Sequence, residues 1–453
     1  MSKQGPTQAA TTNQPKPAPD GFLTWNEYWT KEHNQPWRTE PEIDDTGQQY
    51  LAERRAIQPD IEKGVYPFGG VKLNRADVEW LLATHESGGM RGPVDWSDES
   101  QRGRQGVDLR GADLHRSDLR ALPLARLRGG LSFEESRRTT VWQDDAAAIH
   151  LEDCTLNETH LEGAVLKNAQ LQRVSGIGTR LEHAFLEQSH WDEAYVEHAH
   201  MENAHFFRAR FQGAILDRLH FEGANLLGAQ FDATTAIFDA RFSSPQHGTA
   251  FLLNVDWGGA NLNTMNWAQL GMLAEEQMAR HPDRPVLAPI PPSLHTLPRA
   301  ALFENATRAN RQLAAVLREQ GINEWADHFA YRANVLQRQV LRRRHQYLRY
   351  GGSLLLDLIS GYGYKPMRSL IAYVVIILAF TGAYLLNAQF AAPHLTWDEA
   401  LVLSISAFHG RGFFTSGISL GDTLARLAAG EAIIGLLIEI TFIATFTQRF
   451  FAR

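Results

Sequence analysis

Cysteine is almost missing from this chain: Cys154 is the only one in 453 residues. No intrachain disulfide can form, and a reducing compartment suits the protein. Catalytic signatures are missing too. There is no phosphate loop, no HExxH zinc motif and no GxSxG elbow, so the usual grounds for expecting an enzyme, a cofactor or a catalytic residue are gone. The first twenty residues (MSKQGPTQAATTNQPKPAPD) hold no apolar core of the kind a secretory signal needs and read as a disordered tail.

Charge is unevenly spread. The net charge of -7 hides a division: residues 107–269 carry 22 acidic against 14 basic side chains, whereas 296–365 carry 5 against 11. The basic block stands directly before the first long apolar run, Ser369 to Leu386, which has no charge over eighteen residues. At ~1.5 Å per residue that run crosses most of a hydrocarbon core of ~30 Å. A second run, Ala432 to Thr447, is extended backwards by Leu424 to Glu431 and holds Glu439 near its middle. Arg342, Arg343, Arg344, Arg349, Lys365 and Arg368 before the first run, with Arg449 and Arg453 after the second, place both termini on the cytoplasmic side. The connector between the runs offers His394, Asp398 and Glu399 and no Lys or Arg before its glycine-rich turn.

The middle of the chain repeats every five residues. From Leu151 to Phe231, sixteen of the seventeen positions at that spacing are large and apolar, Gly176 being the exception. Two residues before most of them stands a small side chain, such as Ala164, Ala169, Ala184, Ala204, Ala214 and Ala224. Neither a helix of period 3.6 nor a strand of period 2 keeps such a set on one side, so the chain must turn a corner every five residues. Shorter runs flank the block at Leu109 to Leu124 and Leu252 to Trp267, and the frame slips between 125 and 146 and again near 238, where surface insertions are expected.

The stretches GVDLRGADLHRSDL, LEGAVLKNAQL, FEGANLLGAQF and GGANLNTMNW resemble pentapeptide repeats over about 107–269. The resemblance implies a right-handed, four-sided β-helix, the central Leu or Phe filling the coil and the preceding Ala packing at the corner. Twenty residues per coil would stack position n on n+20 at about 4.8 Å, giving columns such as Leu151, Leu171, Trp191, Phe211 and Phe231. The rod's ends need caps, and residues 21–105, rich in Trp, Tyr and Phe, are expected to supply one. His150, His160, His190, His200, His205 and His220 all precede a central position by one and should point outward, with His200 stacked on His220. Proton or metal sensing suits histidine, but no carboxylate or cysteine is seen to complete a ligand set, so solvated ladder residues are expected.

After a proline-rich stretch (HPDRPVLAPIPPSLHTLP), one helix is expected from Arg299 to Gln320, stopped by Gly321, and another from Asn323 to Gly351 and Gly352. Trp325, Phe329, Ala333, Leu336 and Val340 mark a buried stripe, and a basic face suits the membrane flank. Gly361 to Gly363 (GYG) is similar to the core of a potassium filter, but it precedes the first span and reads as a tight turn.

The stretch from Trp397 to Phe451 runs as a short amphipathic helix (Ala400 to Phe408), a turn, a loop and the second span. This layout, over about 366–451, resembles the two-span potassium-channel pore domain with its re-entrant pore helix. That resemblance implies a membrane protein assembled from several copies, a homotetramer by the family's habit, passing inorganic ions through a lipid bilayer. The family's Thr-Val-Gly-Tyr-Gly-Asp filter is missing; Phe408, His409, Gly410, Arg411, Gly412, Phe413 and Phe414 stand in its place. An arginine from every subunit would repel cations, leaving anion passage or a closed plug open, unless Arg411 turns aside to pair with Glu431, Asp422 or Glu439. Glu431, Gly435 and Glu439 fall on the inner helix: Glu439 must face the pore or a protein partner, and Gly435 is either a gate hinge or a close-packing site.

The expected fold is thus mixed: a quadrilateral pentapeptide-repeat β-helix, an α-helical hairpin and a two-span pore domain. The segments run 1–20 (tail), 21–105 (cap), 106–270 (β-helix), 271–297 (linker), 298–365 (cytoplasmic hairpin) and 366–453 (pore domain). The expected function is an oligomeric channel of the cell (inner) membrane, with the rod in the cytoplasm as a regulatory or scaffolding domain that takes a cytosolic protein or ligand. The alternative is a membrane-tethered protein-binding module on a non-conducting anchor. Acidic pentapeptide-repeat proteins include DNA-like binders of topoisomerases, but the two spans argue against that role, and no nucleic acid is expected.

Overall fold

The computed structural model describes residues 17–282, 296–390, 395–410 and 422–451. They form two compact units, one made of the described residues up to Met278 and the other of 279–282 with everything from Thr296 onward.

The first unit begins with three helices, α1 (Trp25–His33), α2 (Asp45–Arg55) and α3 (Arg75–Ala83), and a small hairpin of β1 (Glu86–Ser87) and β2 (Met90–Arg91). Each helix starts on a side chain that accepts from its first turn: Thr24, Asp44 and Asn74, the last in a capping box with Asp77. The segment just before α3 serves as a first rung for the coil. Leu73 N–H donates to Asp113 O and Asp113 N–H to Val71 O, at 2.8 and 2.9 Å, so this backbone covers an edge that would otherwise stand open.

From Val107 the chain coils with the five-residue register. The corner is a β-turn: Cys154, Thr159, Ala164 and Ala169 N–H groups each donate back to the carbonyl three residues earlier. Its third residue takes positive φ at 153, 158, 163, 168, 173, 178, 183 and 188, and glycine holds only two of these positions. Asp, Glu, Asn, Arg, His and Gln occupy the others in a left-handed conformation that L residues visit reluctantly. What holds them there is the neighbouring coil. Arg180 pairs in parallel with His200 and His200 with His220, and Leu161, Leu181 and Met201 N–H groups donate to the carbonyls of Arg180, His200 and His220 at 2.7 to 2.9 Å. Twenty residues therefore make one coil. The one face regular enough to form strands is a parallel sheet in the order β3 (Ser175–Ile177), β4 (Tyr195–Glu197), β5 (Ile215–Asp217), β6 (Ala236–Phe238).

Insertions sit where the frame slips. Asp113 pairs with His150, 37 residues on instead of twenty, and the excess holds two short helices, α4 (Phe133–Ser136) and α5 (Val141–Ala147). Ile215 pairs with Ala236, 21 residues on, so the frame shifts by one residue before β6; Asn225 then pairs with Phe251, 26 residues on, because a hairpin of β7 (Ser243–Ser244) and β8 (Gly248–Thr249) is also let in. Inside the coil, n and n+20 stack: the Trp191, Phe211 and Phe231 rings follow each other at 6.1 and 5.1 Å, and Trp257 continues the column at 5.2 Å from Phe231. The corner alanines are fully buried. The coil closes towards α6 (Ala274–Arg280), whose Glu275 accepts the N–H groups of Leu252 and Leu253 at 2.7 and 2.6 Å.

In the second unit, α7 (Arg299–Glu319) and α8 (Asn323–Arg343) form an antiparallel pair, crossed by Arg344 to Glu304, Arg311 to Gln337 and Arg318 to Asp327. Phe329, Ala333, Leu336 and Val340 are buried as their spacing predicts, whereas Trp325, expected on the same stripe, is only partly buried near the start of the helix. The second helix is shorter than expected, however. It stops at Arg343, His345 takes φ +56°, and a separate helix α9 (Tyr347–Ser360) follows. Gly351 and Gly352 lie inside α9 with open space around them and terminate nothing. The stop comes at Gly361, at φ +55°. Next come α10 (Pro366–Phe390), α11 (Trp397–Phe408) and α12 (Thr423–Phe451). Parts of α10 and α12, Pro366–Gln389 and Thr423–Ala444, are long and apolar enough to cross a membrane.

Candidate functional site

The short helix α11 packs on both long apolar helices, which also pack on each other. Thr396 and Glu399 form its capping box. Three polar side chains meet where the helices touch. Glu431 of α12 is fully buried and accepts from the Tyr384 hydroxyl of α10 at 2.6 Å and the Ser404 hydroxyl of α11 at 2.5 Å; Ser404 also reaches Ile377 O at 3.0 Å. Each helix thus contributes one group, and the carboxylate finds donors inside the subunit. Glu431, expected on the pore or gate, is turned towards its own neighbours.

At the C-terminal end of α11, Phe408 is buried with its ring edge-on to Tyr373, centroids 4.8 Å apart. His409 follows, its Nδ1 against the Glu439 carboxylate and its Nε2 3.3 Å from the Tyr373 hydroxyl. Glu439 therefore has a protein partner, and that partner is His409. Gly410, at φ +67°, is exposed. Arg411, Gly412, Phe413 and Phe414 lie outside the described residues. Gly435 touches the Phe408 backbone so closely that a Cβ there would stand 2.1 Å from the Phe408 carbonyl oxygen. Only glycine lets α12 approach the end of α11 at that point.

Where α8, α9 and the start of α10 meet, Asp357 collects Arg338 at 2.7 Å, Arg368 at 2.8 Å and the Tyr331 hydroxyl at 3.0 Å. Burial alone would raise its carboxyl, but these donors outweigh it and hold the group below its ordinary range.

The first unit offers a second cluster, built by the twenty-residue rule. His160, Arg180, His200 and His220 stand in one outer column, and Glu162, Glu182, Glu202 and Glu222, two residues on, in the next. Contacts run within and between rungs: His160 to Glu162 at 3.1 Å, Arg180 to Glu162 and Glu182 at 3.1 and 3.0 Å, His200 to Glu202 at 3.3 Å, and His220 to Glu202 and Glu222 at 3.6 Å each. Burial pushes the Glu182 and Glu222 carboxyls up. At Glu202 burial acts the same way, but the bond from His200 and the neighbouring His220 outweigh it and the carboxyl lies below its usual range. His200 is raised by its bond to Glu202, whereas burial lowers His220. The expectation that no carboxylate stands beside the stacked histidines is thereby corrected. Glu202 serves both rings, and the signal lay in the sequence as glutamates at 182, 202 and 222.

Residues 149–175 and 204–235 match the model of pentapeptide repeats, in 8 copies. The chain carries a pentapeptide-repeat domain. Solved structures similar to it include HetL, a pentapeptide repeat protein involved in heterocyst differentiation regulation from the cyanobacterium Nostoc sp. strain PCC 7120, at 20% identity over 36% of this chain and 81% of HetL, with a TM-score of 0.16. QnrB1, a plasmid-mediated fluoroquinolone resistance protein, matches at 16% identity over 40% of this chain and 85% of its own, with a TM-score of 0.20. A pentapeptide repeat protein from the Arabidopsis thaliana thylakoid lumen matches at 16% over 26% and 73%, with a TM-score of 0.14. No curated protein matches the chain.

Proposed function

We propose that the chain is one subunit of an oligomeric ion channel in a cell (inner) membrane, with its pentapeptide-repeat domain and both termini on the cytoplasmic side. The observation that carries this reading is the outward face of the two long helices. Ile371, Val374, Val375 and Leu378 on α10, and Ile433, Leu436, Leu437, Ile440 and Ile443 on α12, are exposed, while the polar groups of Tyr384, Ser404 and Glu431 point inward to one another. In water such apolar surface is unfavourable; against lipid it is the stable arrangement. Helix α9 fits the same frame: Leu348, Leu354, Leu355 and Leu358 are exposed just after Arg342 to Arg344, as suits a helix lying at the headgroup boundary.

In this reading α11 is the re-entrant pore helix, and the stretch from His409 onward, which stands where the resemblance puts the filter, is the candidate ion path, with Phe408 packed inside the subunit at its start. A loop between two spans that dips into the membrane needs burial in protein or a water-filled lumen, and lateral association of copies, a homotetramer by resemblance, would supply one. His409 is anchored by Glu439, which leaves Arg411 to set the charge of the path. Liposomes loaded with KCl and bearing the purified chain test the proposal. Release of ions above protein-free liposomes, altered by Arg411→Ala, is expected; tight vesicles would refute it.

A second reading, a tethered binding module, draws on the sheet face of the rod. Tyr195 and Ile215 stand exposed side by side on β4 and β5, and beside them Ile177 and Phe238 flank Glu197 and Asp217 in the next column, a mixed apolar and acidic surface suited to a cytosolic protein. Recovery of one specific cytosolic protein with the rod, together with tight vesicles, would favour it.

A further inference from the structure

We propose that His200, Glu202 and His220 form a binding site for a divalent transition-metal ion of the zinc type on the outer face of the coil. The three residues offer ligand atoms that all lie within 4.8 Å of one another. Two histidine nitrogens and a carboxylate oxygen are a donor set suited to zinc, which takes bonds of about 2.0–2.2 Å in a tetrahedron. Bonds of that length put neighbouring ligand atoms about 3.4 Å apart. Glu202 Oε1 lies 3.3 Å from His200 Nδ1 and 3.6 Å from His220 Nδ1, already close to that edge.

The fold supplies this spacing. His200 and His220 are a parallel-bridge pair on successive coils, and their rings stack with centroids 4.9 Å apart. Glu202 is two residues past His200, across the same rung, so its carboxylate enters from the side and serves both rings. Glu202 is 8% exposed and its Oε2 has no hydrogen-bond partner; Glu222 is 4% exposed, its Oε2 is equally bare, and its Oε1 is 3.6 Å from His220 Nδ1. Glu162 and Glu182 share the bare Oε2, but of these glutamates only Glu202 has two histidine nitrogens within reach of the same carboxylate. Buried carboxylate oxygens without donors are costly, and a divalent ion beside them removes that cost. Glu222 is placed to complete the set or to orient His220 from outside it. The Arg180 guanidinium is drawn away to Glu162 and Glu182; on the far side, Arg241, the bridge partner of His220, and His247 act on Glu222, so Glu202 is the carboxylate shared by the two imidazoles.

The test uses the purified full chain, stripped with a chelator and titrated with Zn2+ by calorimetry and with Co2+ by visible absorption. One equivalent per chain is expected, with the absorption of tetrahedral cobalt. His220→Ala and Glu202→Gln should each weaken binding by more than about tenfold, with the metal-free melting temperature kept close to that of the wild type. His160→Ala, which removes a similar His–Glu pair two rungs away, should leave binding unchanged. Zinc should raise the melting temperature of the wild type and of His160→Ala only. Absence of saturable binding, or binding that His220→Ala leaves intact or that His160→Ala weakens equally, would overturn the assignment.

Discussion

Replacing Phe211 by alanine tests the twenty-residue stacking at its centre. The ring is fully buried, lying 6.1 Å from Trp191 below and 5.1 Å from Phe231 above, almost parallel to both, with Phe206 at 5.6 Å beside it. Phe→Ala at a buried site costs about 3–5 kcal/mol, and two lost ring pairs of about 0.5–1.5 kcal/mol each favour the upper end. In a solenoid each coil contacts only its neighbours, so the loss should be local. Hydrogen exchange on the full chain, read by mass spectrometry, should show amides of the coils around 191–231 exchanging about a thousandfold faster at about 4 kcal/mol, with the coil around Leu109 to Leu124 little changed. Ile215→Ala is the control. That side chain is 42% exposed on β5, and its loss should cost about 0.5 kcal/mol or less. Equal costs for the two substitutions would refute the register, because a slip of one position exchanges inside for outside.

Three further outcomes are expected. Gly435→Ala places a Cβ 2.1 Å from the Phe408 carbonyl, so the detergent-solubilised protein should lose about 1–3 kcal/mol, seen as a lower melting temperature; an unchanged temperature would show that α11 and α12 do not touch there. Burial pushes the Glu275 carboxyl up to about 7 from 4.5, against two backbone N–H bonds that favour the charged form. Its folded value is raised, so its contribution is fully present below pH 4.5 and is lost as pH rises through about 7. The stability of Glu275→Gln relative to wild type should therefore grow by about 3 kcal/mol from pH 4.5 to 8, and a constant difference would contradict this. Burial pushes the Cys154 thiol up to about 12, and its Sγ–H donates to Leu114 O at 2.9 Å. Maleimide should label Cys154 only after unfolding; labelling of the native protein at pH 8 would place that coil wrongly.

The coil was legible because its period is unlike that of any other element. The central Leu and Phe residues from 151 to 231 and the alanines two residues before them announce the corner; the first frame slip coincides with α4 and α5, and the second with the one extra residue before β6, whereas the β7–β8 hairpin adds five and keeps the frame. Pattern alone did not reveal the left-handed residue at each corner. Asp153, Glu158, His183 and Gln188 bear no mark of it in their side-chain chemistry; the adjacent coil imposes the conformation. The break at His345 was hidden for a similar reason. Gly351 and Gly352 looked like a stop, yet the amphipathic pattern of Leu348 to Leu358 continues through them and tolerates glycine in an open helix. At the membrane segment the order of helices was legible. The choice of Tyr384 and Ser404 as partners for Glu431, and of His409 for Glu439, depends on helix rotation, which a run of apolar residues does not specify. Glu202 stands two residues past His200 along the chain, but its contact with His220 exists only across coils, which spacing along the sequence does not display.

The most direct measurement is the current through a planar bilayer containing the full chain, recorded in asymmetric KCl. The account predicts unitary current steps and a reversal potential that shifts on Arg411→Ala. A silent bilayer under every condition, with the protein inserted and folded, would contradict it.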